Sequence, residues 1–392
     1  MKLTSVVWLA SAVNASVAVS RNGNVTFETF RVLRVNADHR VADLKSAFDI
    51  LSVIELNNNH RYSGDATFDV AVPPEHFETF NALNFTATTL SEDLGADIAT
   101  EGPLGSYPED HIRYWGDLQA SFANNSGLIQ AGLSFEGRLI QGNHFWGSSG
   151  RSSKPAVFFN GNVYAREWIT SMVVEYLLYR LVTGYDNNTT VQAILDNYDF
   201  YLLPIVNPDG FGGDGSSSNP GSETFSGYQP GDAPETAALM DFAQTLAADK
   251  GIKLYIDWHS YAQVILLSYG YTCDEYPLNI KRQISLAAET ATRISQPLRP
   301  ENVTNQSTPP PNLATTDLRV LDNTTFDYGP GCLVLYQSSG NGRDYMTEAA
   351  GTEFGWGIEL RSTSYGFLLP ADQILPSGIE IWEGINYLWA NM

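Results

Sequence analysis

Pro155-Ala-Val-Phe-Phe159, a turn containing Gly161, and then Arg166 to Val182 form the stretch that decides the architecture. The first piece is a short unbroken apolar run, the pattern of a strand buried on both faces. The second places Ile169, Met172, Val173, Tyr176, Leu177 and Leu181 on one side at helical spacing. A strand that turns tightly into a helix is half of a βαβ unit, and the C-terminal part of the chain repeats the alternation. Asp199 to Val206 reads as a strand ending in Asn-Pro-Asp-Gly, and Pro234 to Ala248 as a helix. Ile252 to Asp257 reads as a strand leading into His259, and Leu333–Tyr336 and Trp356–Leu360 as further strands. A helix from near Ser377 to Ala390 closes the chain, and Pro309-Pro-Pro311 falls in a loop. Alternation of this kind predicts an α/β domain around a mainly parallel sheet.

Upstream, residues 26–95 carry a compact βαββαβ-like pattern. Phe30–Val35 and Ala66–Val72 read as strands, Val41–Leu51 as a helix, and Pro73–Leu83 as a helix opened by proline, with Phe85–Leu90 closing the unit. A turn-rich, charged segment from Ser91 to Tyr107 reads as a linker. At the front, Lys2 is followed by the short apolar run Leu3–Val13 and then by small residues, with Ala15 and Ala18 as cleavage sites. This is the pattern of a secretory signal peptide; a buried strand is the alternative. The expected division is a signal at 1–18, a small domain at 22–100 and a large one at 105–392.

The chain has 392 residues, 22 basic and 44 acidic, for a formal net charge of −22. Such an excess of negative charge repels phosphate backbones and anionic lipid surfaces, so nucleic acid is not an expected partner. No apolar run approaches the roughly 20 residues of a membrane helix, so no membrane anchor is expected. Asn24, Asn84, Asn124, Asn187, Asn188, Asn302, Asn305 and Asn323 each open an Asn-x-Ser/Thr triplet, which supports export. The two cysteines, Cys273 and Cys332, form one disulfide in an exported chain or stay as two buried thiols; spacing alone leaves both open.

Chemistry-bearing residues are few. Of the histidines in the large domain, His111, His144 and His259, only His259 directly follows a buried-looking strand, and strand ends of α/β domains are where sites form. Glu167 opens a helix, where a carboxylate can serve the helix N-terminus alone. Glu359 lies inside an otherwise apolar strand. Singly, each has a structural reading as good as a functional one.

Together they fall into five ordered blocks: Tyr164-Ala-Arg-Glu-Trp-Ile169, Val206-Asn-Pro-Asp-Gly-Phe211, His259-Ser-Tyr-Ala-Gln263, Leu335-Tyr-Gln-Ser-Ser-Gly340 and Glu359-Leu-Arg361, the last continuing into Tyr365–Ala371. These blocks resemble the zinc metallocarboxypeptidases of the pancreatic carboxypeptidase A/B type, in a secreted, fungal-like form. The resemblance covers nearly the whole mature chain. It implies a mixed, mainly parallel eight-stranded sheet between helices, preceded by a small α+β ferredoxin-like propeptide domain. It also implies one zinc per chain, bound by a His-x-x-Glu pair and a distant His. Glu167 matches the glutamate ligand and His259 the distant histidine. Glu359 matches the general base, and Tyr336 the mobile tyrosine that covers bound substrate. Arg166, Tyr261 and Phe367 match outer substrate subsites. Counting from Tyr336, Arg343 falls where relatives read the side chain of the C-terminal residue. Turned inward it would favour Asp or Glu there; with the loop shifted it would face solvent. The implied setting is extracellular, the implied partners are peptide or protein C-termini, and a monomer is expected.

Two departures bear on activity. Tyr164 stands where the family's first ligand is histidine, and ionising a phenol of pKa near 10 at neutral pH costs about 4 kcal/mol. Zinc affinity is therefore expected to be poor. After Phe211 the chain passes straight into Gly212-Gly-Asp-Gly-Ser-Ser-Ser-Asn-Pro220. In the family this interval holds the oxyanion arginine, the Asn-Arg pair that grips the substrate carboxylate, and the aspartate behind the first histidine. Gly221 likewise stands where relatives have a cysteine. The sequence thus leaves three readings: an active carboxypeptidase whose coding sequence is incompletely read, a pseudo-peptidase that binds without cutting, or a weak hydrolase.

Overall fold

A computed structural model describes residues 29–58, 67–96, 125–151, 154–164, 166–209, 231–295, 325–361, 366–367, 369–370 and 373–392. The signal segment, most of the linker, the Ser/Gly-rich interval after Phe211 and the triple proline lie outside these residues. The chain divides into two units, Met1–Arg113 and Tyr114–Met392.

In the first unit, strands β1 (Arg31–Asn36), β2 (Ile54–Asn58), β3 (Thr67–Val72) and β4 (Thr86–Ser91) form one sheet in the order β2-β3-β1-β4. All three pairings are antiparallel. Helix α1 (Val41–Leu51) joins β1 to β2, and α2 (Phe77–Asn81) lies between β3 and β4. This is the split-βαβ, ferredoxin-like arrangement. Leu44, Ala47 and Leu51 of α1 recur at helical spacing and pack with Leu33, Val35, Phe68 and Val70 into one core.

In the second unit, β5 (Ser126–Leu133), β6 (Leu139–Phe145), β7 (Ala156–Asn160), β8 (Asp199–Leu203), β9 (Ile252–Ser260), β10 (Val264–Leu267), β11 (Asp327–Pro330) and β12 (Phe354–Leu360) form one eight-stranded sheet. Its order is β11-β10-β12-β9-β7-β8-β6-β5. The inner pairs β12–β9, β9–β7 and β7–β8 and the outer pair β10–β11 are parallel, and the remaining pairs are antiparallel. Parallel strands must be covered on both faces. One face is covered by α3 (Trp168–Gly184), α4 (Thr189–Asn197), α6 (Ile280–Ile294) and the closing helix α9 (Ile374–Asn391), with Trp258, Trp356 and Trp389 at the centre of that core. The other is covered by α5 (Pro234–Asp249), whose Ala243 and Leu246 pack on Phe158, Tyr201 and Tyr255, with Met346 of α8 (Gly342–Glu348) beside them.

Two sequence expectations need correction. Leu333–Tyr336 is not a strand. Residues Gly331–Val334 form a single helical turn, α7, after Pro330, and Leu333 and Val334 face solvent. Cys332 within this turn is bonded to Cys273, and tertiary context of this kind outweighs the β-propensity of an apolar run. His259 does not follow its strand either; β9 runs on through Ser260 and carries the imidazole within the ladder.

Candidate functional site

The site gathers at the C-terminal ends of β7, β9 and β12. From Asn160 at the end of β7 the chain turns through Gly161, where an added Cβ would lie a tight 3.0 Å from the Pro204 carbonyl oxygen. Asn162 follows with φ 55°, and its backbone N–H donates to Thr170 Oγ1 at 2.8 Å. That hydroxyl donates in turn to the Glu167 carbonyl at 2.7 Å. Glu167 is thereby fixed at the N-cap of α3, yet its side chain makes no capping bond. It points instead at His259, with Oε2 3.2 Å from Nδ1.

Along β9 the residues alternate. Leu254, Ile256 and Trp258 enter the hydrophobic core, while Tyr255, Asp257 and His259 share the opposite face. Asp257 lies 3.1 Å from His259 Nε2 with Oδ2 and accepts from Asn160 Nδ2 at 2.7 Å with Oδ1. The imidazole is thus held between two buried carboxylates. Burial alone would push its pKa down, but the charges of Asp257 and Glu167 outweigh it and hold the pKa well above the usual value. Gly342 completes the enclosure: a Cβ there would sit 2.7 Å from the Tyr255 hydroxyl and 2.9 Å from Asp257 Oδ2.

The Tyr164 ring packs against the His259 ring, centroids 5.0 Å apart. The structure therefore brings together Tyr164, Glu167 and His259, the three positions that the sequence blocks match to metal ligands. The donors there are one carboxylate, one imidazole and a phenol. Among the described residues no group of three His, Cys, Asp or Glu side chains is placed to hold a metal ion. Three such ligands plus an open position define a catalytic zinc site, and this donor set does not meet that requirement.

Glu359 stands beside His259 in the parallel β12–β9 register, on the same face of the sheet. Two residues on, Arg361 anchors the end of β12 through a two-pronged pair with Glu380 of α9, at 2.8 and 2.5 Å, and a further bond to Gln373 at 2.9 Å. Arg166 stacks its guanidinium on Phe367, 4.2 Å from the centroid, and Phe367 meets Tyr261 edge-on at 5.0 Å. These three residues form a shelf beside the site. Tyr336 lies just past α7, half-buried.

Arg343 is only 5% exposed, so its loop is not shifted to solvent. Its guanidinium is walled by glycines: an added Cβ at Gly270 would lie 2.4 Å from Nη2, at Gly331 2.5 Å from Nη2, and at Gly357 3.5 Å from Nη1. Its Nε has no hydrogen-bond partner among the described residues. The Asp344 carboxylate stands 3.9 Å from that Nε but is already occupied by the Gly270 and Tyr271 backbone N–H groups and by Asn341 Nδ2. A buried N–H left without an acceptor, such as this Nε–H, costs free energy. Cys273 and Cys332 are joined in a disulfide.

Sequence reasoning missed Asp257, Asn160 and the glycines. For Asp257 a signal was present: it lies two residues before His259 in a strand, and period two puts both on one face. The glycines gave none, because the need for them comes from Arg343 and Asp257, which arrive from other elements.

Comparison with known proteins gives a consistent result. The sequence model of a family described as zinc carboxypeptidase matches residues 111–214 and 211–384, in two segments that meet where the interval after Phe211 begins. The metallocarboxypeptidase A-like protein of Trichophyton verrucosum is 31% identical, with 98% of this chain and 97% of its own length covered. That alignment runs over 445 positions, more than this chain possesses, so the relative carries residues that have no counterpart here. Metallocarboxypeptidase A of Trichophyton rubrum is 33% identical over 81% of this chain and 82% of its own. Among solved structures, thrombin activatable fibrinolysis inhibitor superposes with a TM-score of 0.74 at 20% identity, covering 93% of this chain and 98% of that one. Carboxypeptidase A of Helicoverpa armigera gives 0.66 at 21% identity over the same shares, 93% and 98%.

Proposed function

The chain belongs to the zinc carboxypeptidase family, and we propose that it binds the C-termini of peptides, with acidic last residues preferred, while hydrolysing them weakly or not at all. The observation that carries this reading is Tyr164 packed against His259, together with a buried Arg343 whose Nε has no hydrogen-bond partner among the described residues. In this reading the metal half of the site is short of one donor, and Arg343 belongs to the half that would read a side chain. Arg343 would take the terminal carboxylate side chain, and the Arg166–Phe367–Tyr261 shelf would flank the preceding residues. Glu359 and Tyr336 keep the positions of base and cover. In the same reading residues 22–100 are an activation propeptide-like domain, 105–392 the metallocarboxypeptidase-like domain, and 1–18 a signal that sends a glycosylated monomer out of the cell. Zinc, one per chain in the family, binds loosely.

The test is peptide binding in chelator. Peptides ending in Glu should bind at least about tenfold more tightly than those ending in Gln, a charge-assisted bond being worth about 1.5–3 kcal/mol. The preference should survive in Glu359→Gln. Zinc should be substoichiometric after dialysis, and Tyr164→His should raise zinc retention without restoring efficient release of C-terminal residues. Stoichiometric zinc in the parent chain, or equal binding of Glu and Gln peptides, would overturn the reading.

One observation favours a second reading. The family match breaks at 211–214, where an interval in the coding sequence could have been passed over. Sequencing the transcript across codons 160 to 235 decides it. Extra codons after Phe211 bearing arginines and an Asn-Arg pair would make the natural product a metallocarboxypeptidase, with Tyr164 alone to account for.

A further inference from the structure

Beyond the last β7–β8 pair, Asn160 opposite Leu203, the two chain segments continue side by side. The Gly161 N–H donates to the Leu203 carbonyl at 3.0 Å, and the Val206 N–H to the Gly161 carbonyl at 3.2 Å. The next link is a side chain: Asn207 Nδ2 donates to the Val163 carbonyl at 2.8 Å, one residue short of Tyr164. Asn207 is buried, and a buried carboxamide that donates across two segments fixes their separation. The Tyr164 turn has bonds of its own as well. Its Tyr164 carbonyl accepts from the Glu167 N–H at 3.0 Å and from Asn162 Nδ2 at 3.3 Å. Those bonds lie within residues 162–167, so they set the shape of the turn and travel with it. Asn207 arrives from another element and ties that shape to the sheet. It is itself held from the far side. Pro208 restricts the backbone beside it, and buried Asp209 accepts from the Glu136 N–H at 2.6 Å and from Arg138, both in the turn between β5 and β6. The Asn-Pro-Asp block is therefore gripped at Asp209 by one turn and grips another at Asn207.

We propose that Asn207 is a positioning residue of the candidate site: its bond to Val163 sets the Tyr164 ring against the His259 ring. Without that bond the turn shifts along the end of the sheet, and the phenol leaves the imidazole while β7, β9 and α3 stay in place. A residue that merely supports the fold would, when replaced, loosen ring contacts throughout the sheet. A positioning residue changes the one contact it sets. The inference rests on the reading of Tyr164 and His259 as part of the site, yet its readout needs no peptide, so failure of the proposed binding and failure of this inference are told apart.

The test uses the full chain, in chelator, with isotope-labelled tyrosine and histidine, and reads nuclear Overhauser contacts between ring protons. The Tyr164–His259 contact, with centroids 5.0 Å apart, is assigned by its disappearance in Tyr164→Leu. The contact between His144 and Tyr201, stacked at 4.1 Å, is the internal control. Two variants are compared with the parent. Asn207→Asp keeps the shape of the side chain but places an oxygen where Nδ2 donates, and Asn207→Ala removes the whole group. The expected result is a Tyr164–His259 contact that falls severalfold in both variants while the His144–Tyr201 contact keeps its strength. A Tyr164–His259 contact at parental strength in either variant would overturn the proposal. Loss of both contacts together would also overturn it, making Asn207 a support of the fold at large.

Discussion

The sheet of the large domain buries two histidines, and they behave in opposite ways. At one end, His259 lies between Asp257 and Glu167, whose charges outweigh burial and hold its pKa well above the usual value. At the other, His144 stacks on Tyr201 at 4.1 Å, with Nε2 3.7 Å from Asp199. Burial pushes its pKa down; Asp199 opposes this, and Lys250 and Arg151 reinforce it. Each imidazole has a carboxylate nearby, so proximity is not the difference. Asp199 is engaged by Lys250 at 3.0 Å and Lys154 at 3.4 Å, whereas Asp257 is met by an uncharged amide. Burial tends to raise the Asp199 pKa, but His144 and the two lysines carry it down to about 2. A carboxylate already matched by cations has little left for an imidazole. One end of the sheet therefore turns its carboxylates on His259 at the candidate site, and the other spends its carboxylate on two lysines.

The largest test of this contrast is Asp199→Ala. Lys154 and Lys250 have side chains only 8% and 3% exposed, and both would lose Asp199, leaving Lys250 with Asp249 at 3.5 Å on its exposed side. Lys154 would retain the Leu195 carbonyl and Lys250 the Tyr201 hydroxyl. Stranding buried charge costs about 3–5 kcal/mol, to be read from urea unfolding at pH 7. A loss under about 1 kcal/mol would mean that water reaches the lysines and that Asp199 is not spent on them.

Glu175, in the middle of α3, isolates burial, the sole cause that raises its pKa, to about 7. The native state thus prefers the protonated form. Its contribution is full below the unfolded value near 4.5 and is lost as pH rises through about 7. Glu175→Gln should match the parent at pH 4 and exceed it by about 2–3 kcal/mol at pH 8. Equal stability at pH 8 would show that a cation reaches this carboxylate after all, and burial alone would no longer explain the contrast between the histidines.

How far the sequence revealed these features follows from where each constraint originates. Strands β7, β9 and β12 were legible because burial on both faces writes itself as an unbroken apolar run. Helices α3 and α5 were legible through their spacing and, for α5, its opening proline. The helical turn at Gly331–Val334 was not, since its apolar run has the pattern of a strand and its bonded partner Cys273 lies 59 residues away. Glu167, His259 and Glu359 each looked ambiguous alone and became legible as ordered blocks. The orientation of Arg343 stood open between pocket and solvent because it depends on Gly270, Gly331 and Gly357, which lie on three separate segments. Residues whose role is set by local pattern can be read from the chain, and those set by what faces them cannot.

The smallest effect concerns His144 itself. Neither of its ring nitrogens has a hydrogen-bond partner among the described residues, and its ring lies flat on Tyr201 and near Trp146, centroids 4.7 Å apart. A phenyl ring keeps this stacking and leaves no polar atom unmatched, so His144→Phe should change stability at pH 7 by only about 1 kcal/mol or less. Acid is where the variants part. The unfolded chain takes up a proton near pH 6.5 that the native imidazole refuses, so the contribution of His144 is present above pH 6.5 and lost as pH falls below it. The contribution of Asp199 is lost in a separate window, as pH falls from about 4 toward 2. Subtracting the variant's stability from the parent's at each pH should therefore give a difference that is steady above pH 7 and falls as pH drops through 6.5. A difference that is flat throughout would mean that His144 titrates alike in both states. Asp199 would then retain enough charge to hold the proton on the native imidazole, and the carboxylates at the two ends of the sheet would differ less than their cation partners imply.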